Sequence, residues 1–468
     1  MKKGTLNQAS LTKSAAIKGS INRRKFLLGT LLAPILSTLG GRQAIAAVPS
    51  VSNRWVNWSG ALQSDPISRM APGSESELIE LMLTLEGQIR PVGAGHSFSA
   101  LVPTNGHLMV LDKLAGLLDH NSDNMTATLA AGTRLGNAGP LLENVGQAMF
   151  NLPDIDRQTL AGAISTSTHG TGSSFGSLSR YVNSIRLVTP GGEMIDLDRK
   201  SDEDRFLAAR VSLGALGVVT RIGFQNRAPF RLKTKTWVEP TEDVIATFKA
   251  RDQEYEHYEF MPFPHADYSL VIAHQETTET ELAPEPEEDA GDLFALLNRV
   301  PVKMRSYLFD YLLKELPKTT SVQTSHQALT NVRNDRFNEM EYSVPIDDGL
   351  DCVQEVLQVI RDESLDVVFP LEYRTVAEDD SWLSMFNGGP RASISIHRSA
   401  GFDYKPYFHR IEKIFLKYGG RPHWGKVHFL GFDELNGLYP RLKDFVSMQK
   451  ELDPKGQMLN AHLAQLFA

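Results

Sequence analysis

The residues best suited to chemistry in this sequence are a lone histidine in a glycine-rich loop and an acid–base pair spaced two residues apart. The loop, RPVGAGHSFSA from Arg90 to Ala100, follows an apolar run typical of a strand. Its glycines allow tight turns and close approach to a ligand, and its successive N–H groups can form a nest for phosphate. Glu372 and Arg374, in LEYR, would share one face of a strand, where their opposite charges can orient each other and line one pocket.

A second loop of small and hydroxyl side chains follows the first, in LPDIDRQTLAGAISTSTHGTG from Leu152 to Gly172. Such residues permit flat packing against a planar ring or close approach of the backbone to a pyrophosphate. Neither loop matches the G-x-G-x-x-G fingerprint of doubly wound dinucleotide-binding folds, and the sequence holds no phosphate loop with its lysine. A single glycine-rich loop is more often only a turn, so only the two loops together indicate a cofactor site.

Composition excludes several classes of function. The 468 residues carry a formal net charge of −8, which argues against nucleic acid as a partner because duplex binding requires a concentrated basic face. Hydrophobic residues make up 41% of the chain, enough to bury two substantial cores, and the length favours two or three domains. Cys352 is the single cysteine, so no intramolecular disulfide and no cysteine-based metal site can form. No metal is predicted.

The N-terminal segment is typical of an export signal. Residues 1–46 carry Arg23 and Arg24, then a moderately apolar run and a small-residue pattern ending at Ala46, and so resemble a twin-arginine signal peptide. Asn22 departs from the Ser or Thr usual there. A basic amphipathic helix or a membrane anchor is the alternative, although the apolar run is short for a span. We expect export by the twin-arginine machinery to a periplasmic or membrane-associated location, and because that route carries folded proteins, a tightly held cofactor.

The elements that must position these residues divide into two regions. In residues 55–226, SESELIELMLTLEGQ predicts an amphipathic helix ending at Gly87, YVNSIRLVTPGGEMIDLD predicts a hairpin, and IRPVGAG, HLMVLDKL and TATLAAG predict strands. Residues 230–468 begin after a change in composition. There YFHRIEKIFLKYGG predicts a helix stopped by glycine, and the acid-rich QETTETELAPEPEEDAGD predicts a solvated surface loop.

The order and flanks of the two loops resemble the FAD-binding domain of the vanillyl-alcohol oxidase superfamily, the PCMH-type fold. Four further motifs, MEYSVP, FPLEYR, GGRPHWGKVH and DPKGQMLN, are similar to segments of the sugar-1,4-lactone oxidases and the related alditol oxidases. The resemblance covers the chain from Trp55 onward. It implies an α+β fold of two domains: residues 55–226 would hold FAD between two α/β lobes, and residues 230–468 would form a substrate domain on an antiparallel sheet.

The same resemblance implies FAD as the cofactor, with the first loop around its pyrophosphate and the second along the flavin. In members that carry G-x-G-H-S, the histidine can be bonded to the 8α-methyl carbon of the flavin, and a neutral imidazole offers the lone pair required. His96 is therefore the candidate for a covalent link, and a histidine that only hydrogen-bonds its loop is the alternative. The implied cofactor-binding residues are Val92, Gly93, Ala94, Gly95, His96, Ser97, Phe98, Gly162, Ala163, Ser165, Thr166, Thr168, His169, Gly170 and Val219.

Oxidation of an alcohol carbon by flavin requires transfer of hydride to the N5 atom and loss of the hydroxyl proton. The resemblance assigns Lys426 and Arg374 to proton abstraction or to stabilisation of the developing alkoxide, with Glu372 positioning Arg374 or binding a substrate hydroxyl. For Lys426 to act as a base its pKa must be lowered, which burial and a neighbouring guanidinium would do. The candidate substrate contacts are Glu341, Ser395, His397 and His423.

Simpler interpretations of the same residues stay open. A glutamate and an arginine two positions apart are usually a structural pair, and an isolated lysine is usually solvated. The alternating polar residues of RASISIHRS also suit an edge strand that faces water.

The function implied is oxidation of a sugar-derived aldono-1,4-lactone of the D-arabinono or L-gulono type, with FAD reoxidised by oxygen to give hydrogen peroxide. An open-chain alditol as donor, or a cytochrome or quinone as acceptor, is the near alternative. A carbohydrate-binding protein without turnover is the remote alternative, and the joint presence of Glu372, Arg374 and Lys426 argues against it.

Overall fold

Helices and short strands alternate through the first half of the described chain, whereas the second half is built on one large antiparallel sheet. The structure is a computed structural model and describes residues 53–284, 297–333 and 335–468. The strands are β1 Trp55–Val56, β2 Gln63–Ser64, β3 Ser68–Met70, β4 Ile89–Val92, β5 His107–Val110, β6 Leu117–Asn121, β7 Thr126–Ala130, β8 Val182–Val188, β9 Met194–Asp198, β10 Val218–Gln225, β11 Arg231–Pro240, β12 His257–Pro262, β13 Tyr268–Thr277, β14 Thr319–Thr324, β15 Phe337–Pro345, β16 Glu372–Val376, β17 Arg391–Ser399 and β18 Arg421–Pro422. The helices are α1 Glu75–Thr84, α2 Leu135–Glu143, α3 Leu160–Ser165, α4 Glu203–Ala209, α5 Thr241–Glu254, α6 Val302–Lys314, α7 Ser325–Ala328, α8 Gly349–Asp362, α9 Lys405–Lys417, α10 Phe432–Leu438, α11 Leu442–Leu452 and α12 Ala461–Leu466.

Two sheets support the glycine-rich loop. β3 and β4 flank β5 in a parallel three-stranded sheet, and a five-stranded antiparallel sheet has the order β6-β7-β10-β8-β9. The loop, residues 93–97, begins directly after β4, so this mostly buried strand fixes the position of the loop. α1 begins after Ser74, whose hydroxyl accepts a hydrogen bond from the Glu77 N–H at 3.1 Å, and it ends at Thr84, ahead of Gly87. The predicted helix, the β8–β9 hairpin and the predicted strands β4, β5 and β7 are confirmed.

The second half forms an eight-stranded sheet in the order β14-β11-β13-β12-β16-β17-β15-β18. Its central strands have two unlike faces because successive side chains point to opposite sides of a strand. Tyr342, Ile394 and Tyr373 align across β15, β17 and β16 on the apolar face, while Ser395 lies opposite both Glu341 and Glu372 on the polar face. β17 is an interior strand, so the interpretation of RASISIHRS as an edge strand is wrong.

Two amphipathic helices cover the apolar face of this sheet. Buried side chains of α8 include Cys352, Val356 and Ile360, and those of α9 include Phe408 and Phe415. Burial of each such side chain contributes about 1.5–3 kcal/mol, which anchors the helices and leaves the polar face directed away from them. The predicted helix in YFHRIEKIFLKYGG is α9.

The acid-rich stretch is only partly a loop. Residues 275–277 extend β13 and pair with residues 231–233 of β11, so that part of the loop prediction is wrong. Residues 285–292 of the stretch, and the predicted signal peptide at residues 1–46, lie outside the described residues. No helix within the described ranges is long and apolar enough to cross a membrane. The predicted domain division, after residue 226 and before 230, falls between β10 and β11 and stays a prediction.

Buried histidines make the fold sensitive to acid. His428 is 8% exposed, and neither of its ring nitrogens has a hydrogen-bond partner within the described residues. Burial, and then the neighbouring His462, lower the pKa of His428 to about 3. The unfolded chain therefore gains a proton at this residue as the pH falls through about 6.5, before the folded protein does. We expect the free energy of unfolding to decrease as the pH falls across this window, and His428→Gln to reduce that slope by up to about 1.4 kcal/mol per pH unit.

Urea denaturation at several pH values between about 4 and 6.5 measures this slope. His120→Gln, at an exposed position, is the matched control. An identical slope in wild type and His428→Gln would contradict the prediction.

Candidate active site

Two adjoining cavities lie between the loops of the first half and the polar face of the large sheet. The larger has a volume of about 340 Å³ and the smaller about 100 Å³. His96, Ser97, Gln158 and Thr166 line both cavities and therefore mark their junction. Charged and aromatic side chains line the larger cavity, whereas glycines and other small residues dominate the wall of the smaller one.

The first loop presents an anion-binding surface to the smaller cavity. Within the described residues, the main-chain N–H groups of residues 94–97 donate to no protein acceptor. Gly95 adopts a φ of 72°, and a Cβ atom on Gly93 would lie 2.2 Å from Thr159 Oγ1. Free N–H groups in a tight glycine turn bind phosphate oxygens. The loop therefore fits the pyrophosphate of a dinucleotide cofactor.

The second loop lines the same cavity through only part of its predicted residues. Gly162, Ser165 and Thr166 contribute to the wall, as does Val219 of β10. Ala163 and Gly170 line neither cavity. Ala163 is fully buried in the core, and Gly170 packs so tightly that a Cβ atom would lie 2.3 Å from the carbonyl oxygen of residue 152.

Lys426 lies between two carboxylates of β15. Its Nζ atom is 2.5 Å from Glu339 Oε2 and 3.8 Å from Glu341 Oε2. The HWGK segment is held along β15, because the N–H of His423 donates to the Glu341 carbonyl and the N–H of Val427 donates to the Glu339 carbonyl, each at 2.9 Å. Burial opposes the charge of Lys426, but the two carboxylates outweigh burial and raise its pKa. The lowered pKa that Lys426 would need to act as a base is therefore contradicted.

His169 joins the second loop to this charged cluster. Its Nε2 atom is 2.6 Å from Glu341 Oε1, and its Nδ1–H donates to the Gly170 carbonyl at 2.8 Å. The Ser393 hydroxyl donates to the same Glu341 oxygen at 2.5 Å. Burial alone would raise the pKa of Glu341, but His169, His423 and Lys426 hold it well below its usual range. Glu341 is thus an ionised carboxylate that contacts His169 and Ser393 and faces Lys426, rather than a free substrate contact.

Arg374 and Glu372 form the second charged pair of the cavity. Arg374 donates from Nε to Glu259 Oε2 and from Nη2 to Glu372 Oε1, each at 2.6 Å. The carboxylates outweigh burial and raise the pKa of Arg374, so it stays a cation. Burial raises the pKa of Glu372 to about 7; Arg374 opposes this rise, and Glu259 and Asp154 add to it. Glu372 can therefore gain or lose a proton near neutral pH.

The predicted substrate-side histidines also line the larger cavity. His397 donates from Nδ1 to the Pro370 carbonyl at 3.2 Å and directs Nε2 toward Glu339 at 3.7 Å. His423 accepts from the Gly425 N–H on Nδ1 at 2.9 Å, and burial, with Lys426 and His169, lowers its pKa to about 4. Neutral His423 therefore carries its proton on Nε2. Ser395 is buried at 3% exposure and lines neither cavity, although it shares the polar face.

His96 lies at the junction of the cavities with its ring stacked on Trp58, the centroids 5.3 Å apart. Burial, followed by the charges of Lys426, Arg134 and Arg157, lowers the pKa of His96 to about 4. No hydrogen bond from its imidazole to the described residues is present, so the alternative of a histidine that hydrogen-bonds its own loop finds no support. The neutral ring keeps a lone pair available at pH 7.

Residues 222–466 match the family model of D-arabinono-1,4-lactone oxidase, and residues 66–198 match an FAD-binding domain. The chain belongs to the D-arabinono-1,4-lactone oxidase family. The L-gulono-1,4-lactone dehydrogenase of Mycobacterium tuberculosis is 33% identical over 88% of this chain and 99% of that protein. The alditol oxidase of a Streptomyces species is 27% identical over 89% of this chain and 100% of that protein. The L-gulonolactone oxidase of Bos taurus is 26% identical over 88% of this chain and 98% of that protein.

Among solved structures, cholesterol oxidase from B. sterolicum aligns with a TM-score of 0.78 at 14% identity, covering 89% of this chain and 97% of that one. This likeness shows the fold alone, and the predicted α+β PCMH-type architecture is confirmed. Membership of the lactone oxidase family makes the protein an FAD-dependent oxidoreductase that acts on CH–OH groups. The alternative of a carbohydrate-binding protein without turnover is therefore not supported.

Sequence reasoning missed several residues that line the larger cavity. Glu339 stands two positions before Glu341 in β15, so strand periodicity applied to MEYSVP and its flank would have found it. Asp154 and Arg333, paired at 2.7 Å on the cavity wall, are too far apart in sequence for any local pattern to join them. Gln158, at the junction, lay within the second loop but was not singled out.

The clustered acids and histidines also include two groups close enough to hold a metal ion: His169, Glu341 and His423, and Glu339, Glu372 and His397. Lys426 already pairs with the carboxylates of Glu339 and Glu341, so a metal cation would compete with its ammonium group. That this protein uses no metal ion stays a prediction.

The crowding at Gly93 generates a test of the cofactor loop. Gly93→Ala places a methyl group against Thr159 Oγ1, which also accepts the α3 N-terminal hydrogen bond from Gly162 at 3.3 Å. We expect FAD binding to weaken by about tenfold or more, measured by quenching of flavin fluorescence on titration. Gly437→Ala, where a Cβ atom would meet nothing within 4 Å, is the control.

Adding Thr159→Ala to Gly93→Ala removes the clashing oxygen and should recover part of the affinity. Full FAD affinity in the single variant would show that the loop does not approach its ligand closely.

Proposed function

We propose that this protein oxidises a ring hydroxyl of a sugar-derived aldono-1,4-lactone, of the D-arabinono or L-gulono type, to a carbonyl. FAD, when bound, supplies the hydride acceptor at its N5 atom. The observation that carries the proposal is that Lys426, Glu372 and Arg374 line one cavity, which adjoins the pyrophosphate nest. The family model and the names of the lactone-specific relatives support the substrate class.

Glu372 accepts the hydroxyl proton. A carboxyl with a pKa of about 7 is ionised in half of the molecules at neutral pH and holds a proton well once it has accepted one. Arg374 keeps the Glu372 carboxylate in place through its hydrogen bond at 2.6 Å, while Glu259 holds the other side of the guanidinium. The substrate C–H bond then loses a hydride as its O–H bond loses a proton, so that the carbinol becomes a carbonyl.

Lys426 acts as a fixed cation rather than as a base. Its raised pKa keeps the ammonium group charged, and a preorganised charge lowers the energy of an oxygen that becomes negative as its proton leaves. The Nε2–H of His423 is a further donor on the same wall. The rings of Trp58, Phe337 and Phe369 offer apolar surface to the C–H faces of a sugar ring.

Reoxidation by oxygen with release of hydrogen peroxide completes the proposed reaction. The printed names of the relatives include both oxidases and a dehydrogenase, so the acceptor needs its own measurement. Peroxide formation should account for the lactone consumed in air. Turnover only with an artificial dye would instead indicate a cytochrome or quinone acceptor. Faster flavin reduction by an alditol than by a lactone would indicate that the substrate is an open-chain polyol.

The role of Glu372 predicts the pH dependence of flavin reduction. Because the acceptor must be ionised, the rate constant should rise as the pH increases through about 7. Glu372→Gln should lower the rate constant by about 10²- to 10⁴-fold and abolish this rise, measured by stopped-flow bleaching of the flavin absorbance.

Glu378→Gln, at an exposed position, is the matched control and should keep the wild-type profile. Lys426→Met should slow flavin reduction at every pH while FAD stays bound, because it removes a charge and not a titrating group. A Glu372→Gln variant that keeps the rise near pH 7 would remove Glu372 from the proton step, and unaltered turnover in Lys426→Met would defeat the charge assignment.

His96 is proposed to hold the flavin covalently through the 8α-methyl carbon. Support comes from its neutral imidazole, its place at the junction of the cavities and the lack of a hydrogen bond between its ring nitrogens and the described residues. Acid precipitation of wild type should leave the yellow colour in the pellet, and His96→Ala should release it to the supernatant. Release from wild type would make His96 a loop contact only.

Export by the twin-arginine machinery to a periplasmic or membrane-associated location is also part of the proposal and is supported by the N-terminal sequence pattern alone. Cell fractionation should find the wild-type flavoprotein outside the cytoplasm and an Arg23→Lys/Arg24→Lys variant inside it. Equal distribution of the two proteins would reject a twin-arginine signal.

A further inference from the structure

Gln158 carries an unused hydrogen-bond acceptor at the junction of the two cavities. Its side-chain Oε1 atom is buried and has no hydrogen-bond partner among the described residues. A buried carbonyl oxygen without a donor destabilises the protein, so native chains usually supply one from protein, water or ligand. Since Gln158 lines both cavities, a ligand that bridges them can supply the donor.

A chain of hydroxyl groups sets the direction of the Gln158 amide. The Thr166 hydroxyl donates to the Gly162 carbonyl at 3.3 Å, and a carbonyl oxygen can only accept. Thr166 must then accept from the Thr168 hydroxyl, 3.4 Å away, and Thr168 must accept from Gln158 Nε2 at 3.1 Å. The NH2 group of the amide is thereby committed to Thr168. The side-chain oxygen is left as the free end.

The chemistry of the cofactor supplies a partner for this oxygen. The oxidised isoalloxazine ring has a single N–H group, the imide N3–H of its pyrimidine ring, while its other polar edge atoms are acceptors. A fixed carbonyl oxygen complements that N–H and repels the acceptors on either side of it. We propose that Gln158 is a cofactor-binding residue whose side-chain carbonyl accepts the hydrogen bond of the flavin N3–H.

Such a bond exists only while N3 carries its proton. The Gln158 carbonyl therefore favours the protonated imide and moves its ionisation to higher pH, and loss of the carbonyl moves it back. Gln158→Met keeps the length of the side chain and removes the acceptor. We expect N3 ionisation in this variant to shift by about one pH unit toward lower pH, and FAD binding to weaken by about five- to tenfold.

The experiment is a spectrophotometric pH titration of the flavin bound to the whole protein, which reports N3 ionisation without turnover. Fluorescence titration of the apoprotein with FAD gives the affinity; if the flavin is covalent, both variants carry His96→Ala for this measurement. Gln358→Met, on the exposed face of α8, is the matched control. Thr168→Val should shift the ionisation in the same direction by a smaller amount, because the amide loses the hydroxyl that orients it.

Unchanged N3 ionisation and unchanged FAD affinity in Gln158→Met would overturn the proposal. Gln158→Asn, which withdraws the carbonyl by one methylene group, carries the same expectation if Gln158→Met does not fold. The test is independent of the sugar substrate: a shifted ionisation in a protein that does not oxidise lactones would reject the proposed reaction and leave the role of Gln158 standing.

Discussion

The buried ammonium group of Lys426 is the charge on which the polar side of the molecule depends. It lies between Glu339 and Glu341 at 2.5 and 3.8 Å, so each of the three buried groups faces an opposite charge. Removing one partner from such a cluster costs about 3–5 kcal/mol, because an unpaired charge is left inside the protein. The two carboxylates come from β15, which also pairs with β18 just before Lys426, so the sheet must form for the charges to meet.

His169 connects this charged cluster to the first half of the chain. Its hydrogen bond to Glu341 ties the second loop to the large sheet, and a second buried cation ties the first loop to the C-terminal tail. Arg90, in β4 ahead of that loop, donates to the carbonyl oxygens of Leu101, Leu213 and Gly214 and to that of Met458. Buried side chains whose partners are distant in sequence therefore hold the walls of the smaller and the larger cavity together.

Two carboxyl groups on the polar face of the large sheet have pKa values shifted in opposite directions. Glu341 faces Lys426 and two histidines and has a pKa well below its usual range, whereas burial and two nearby carboxylates raise that of Glu372 to about 7. Two carboxyl groups in one cavity thus have pKa values shifted in opposite directions, and the difference arises from which charges face them. In the proposed reaction, this difference lets Lys426 stay charged while Glu372 accepts the proton.

The sequence by itself determined the local elements and the family. Period-two alternation put Glu372 and Arg374 on one strand face, small residues marked the two loops, and the ordered motifs indicated a flavin-dependent lactone oxidase. Only the tertiary structure decided that two carboxylates flank Lys426 and raise its pKa, that His169 pairs with Glu341, and that Gln158 Oε1 has no hydrogen-bond partner among the described residues. Local patterns depend on neighbours along the chain, but a pKa and a hydrogen-bond partner depend on groups that folding brings from distant strands and loops.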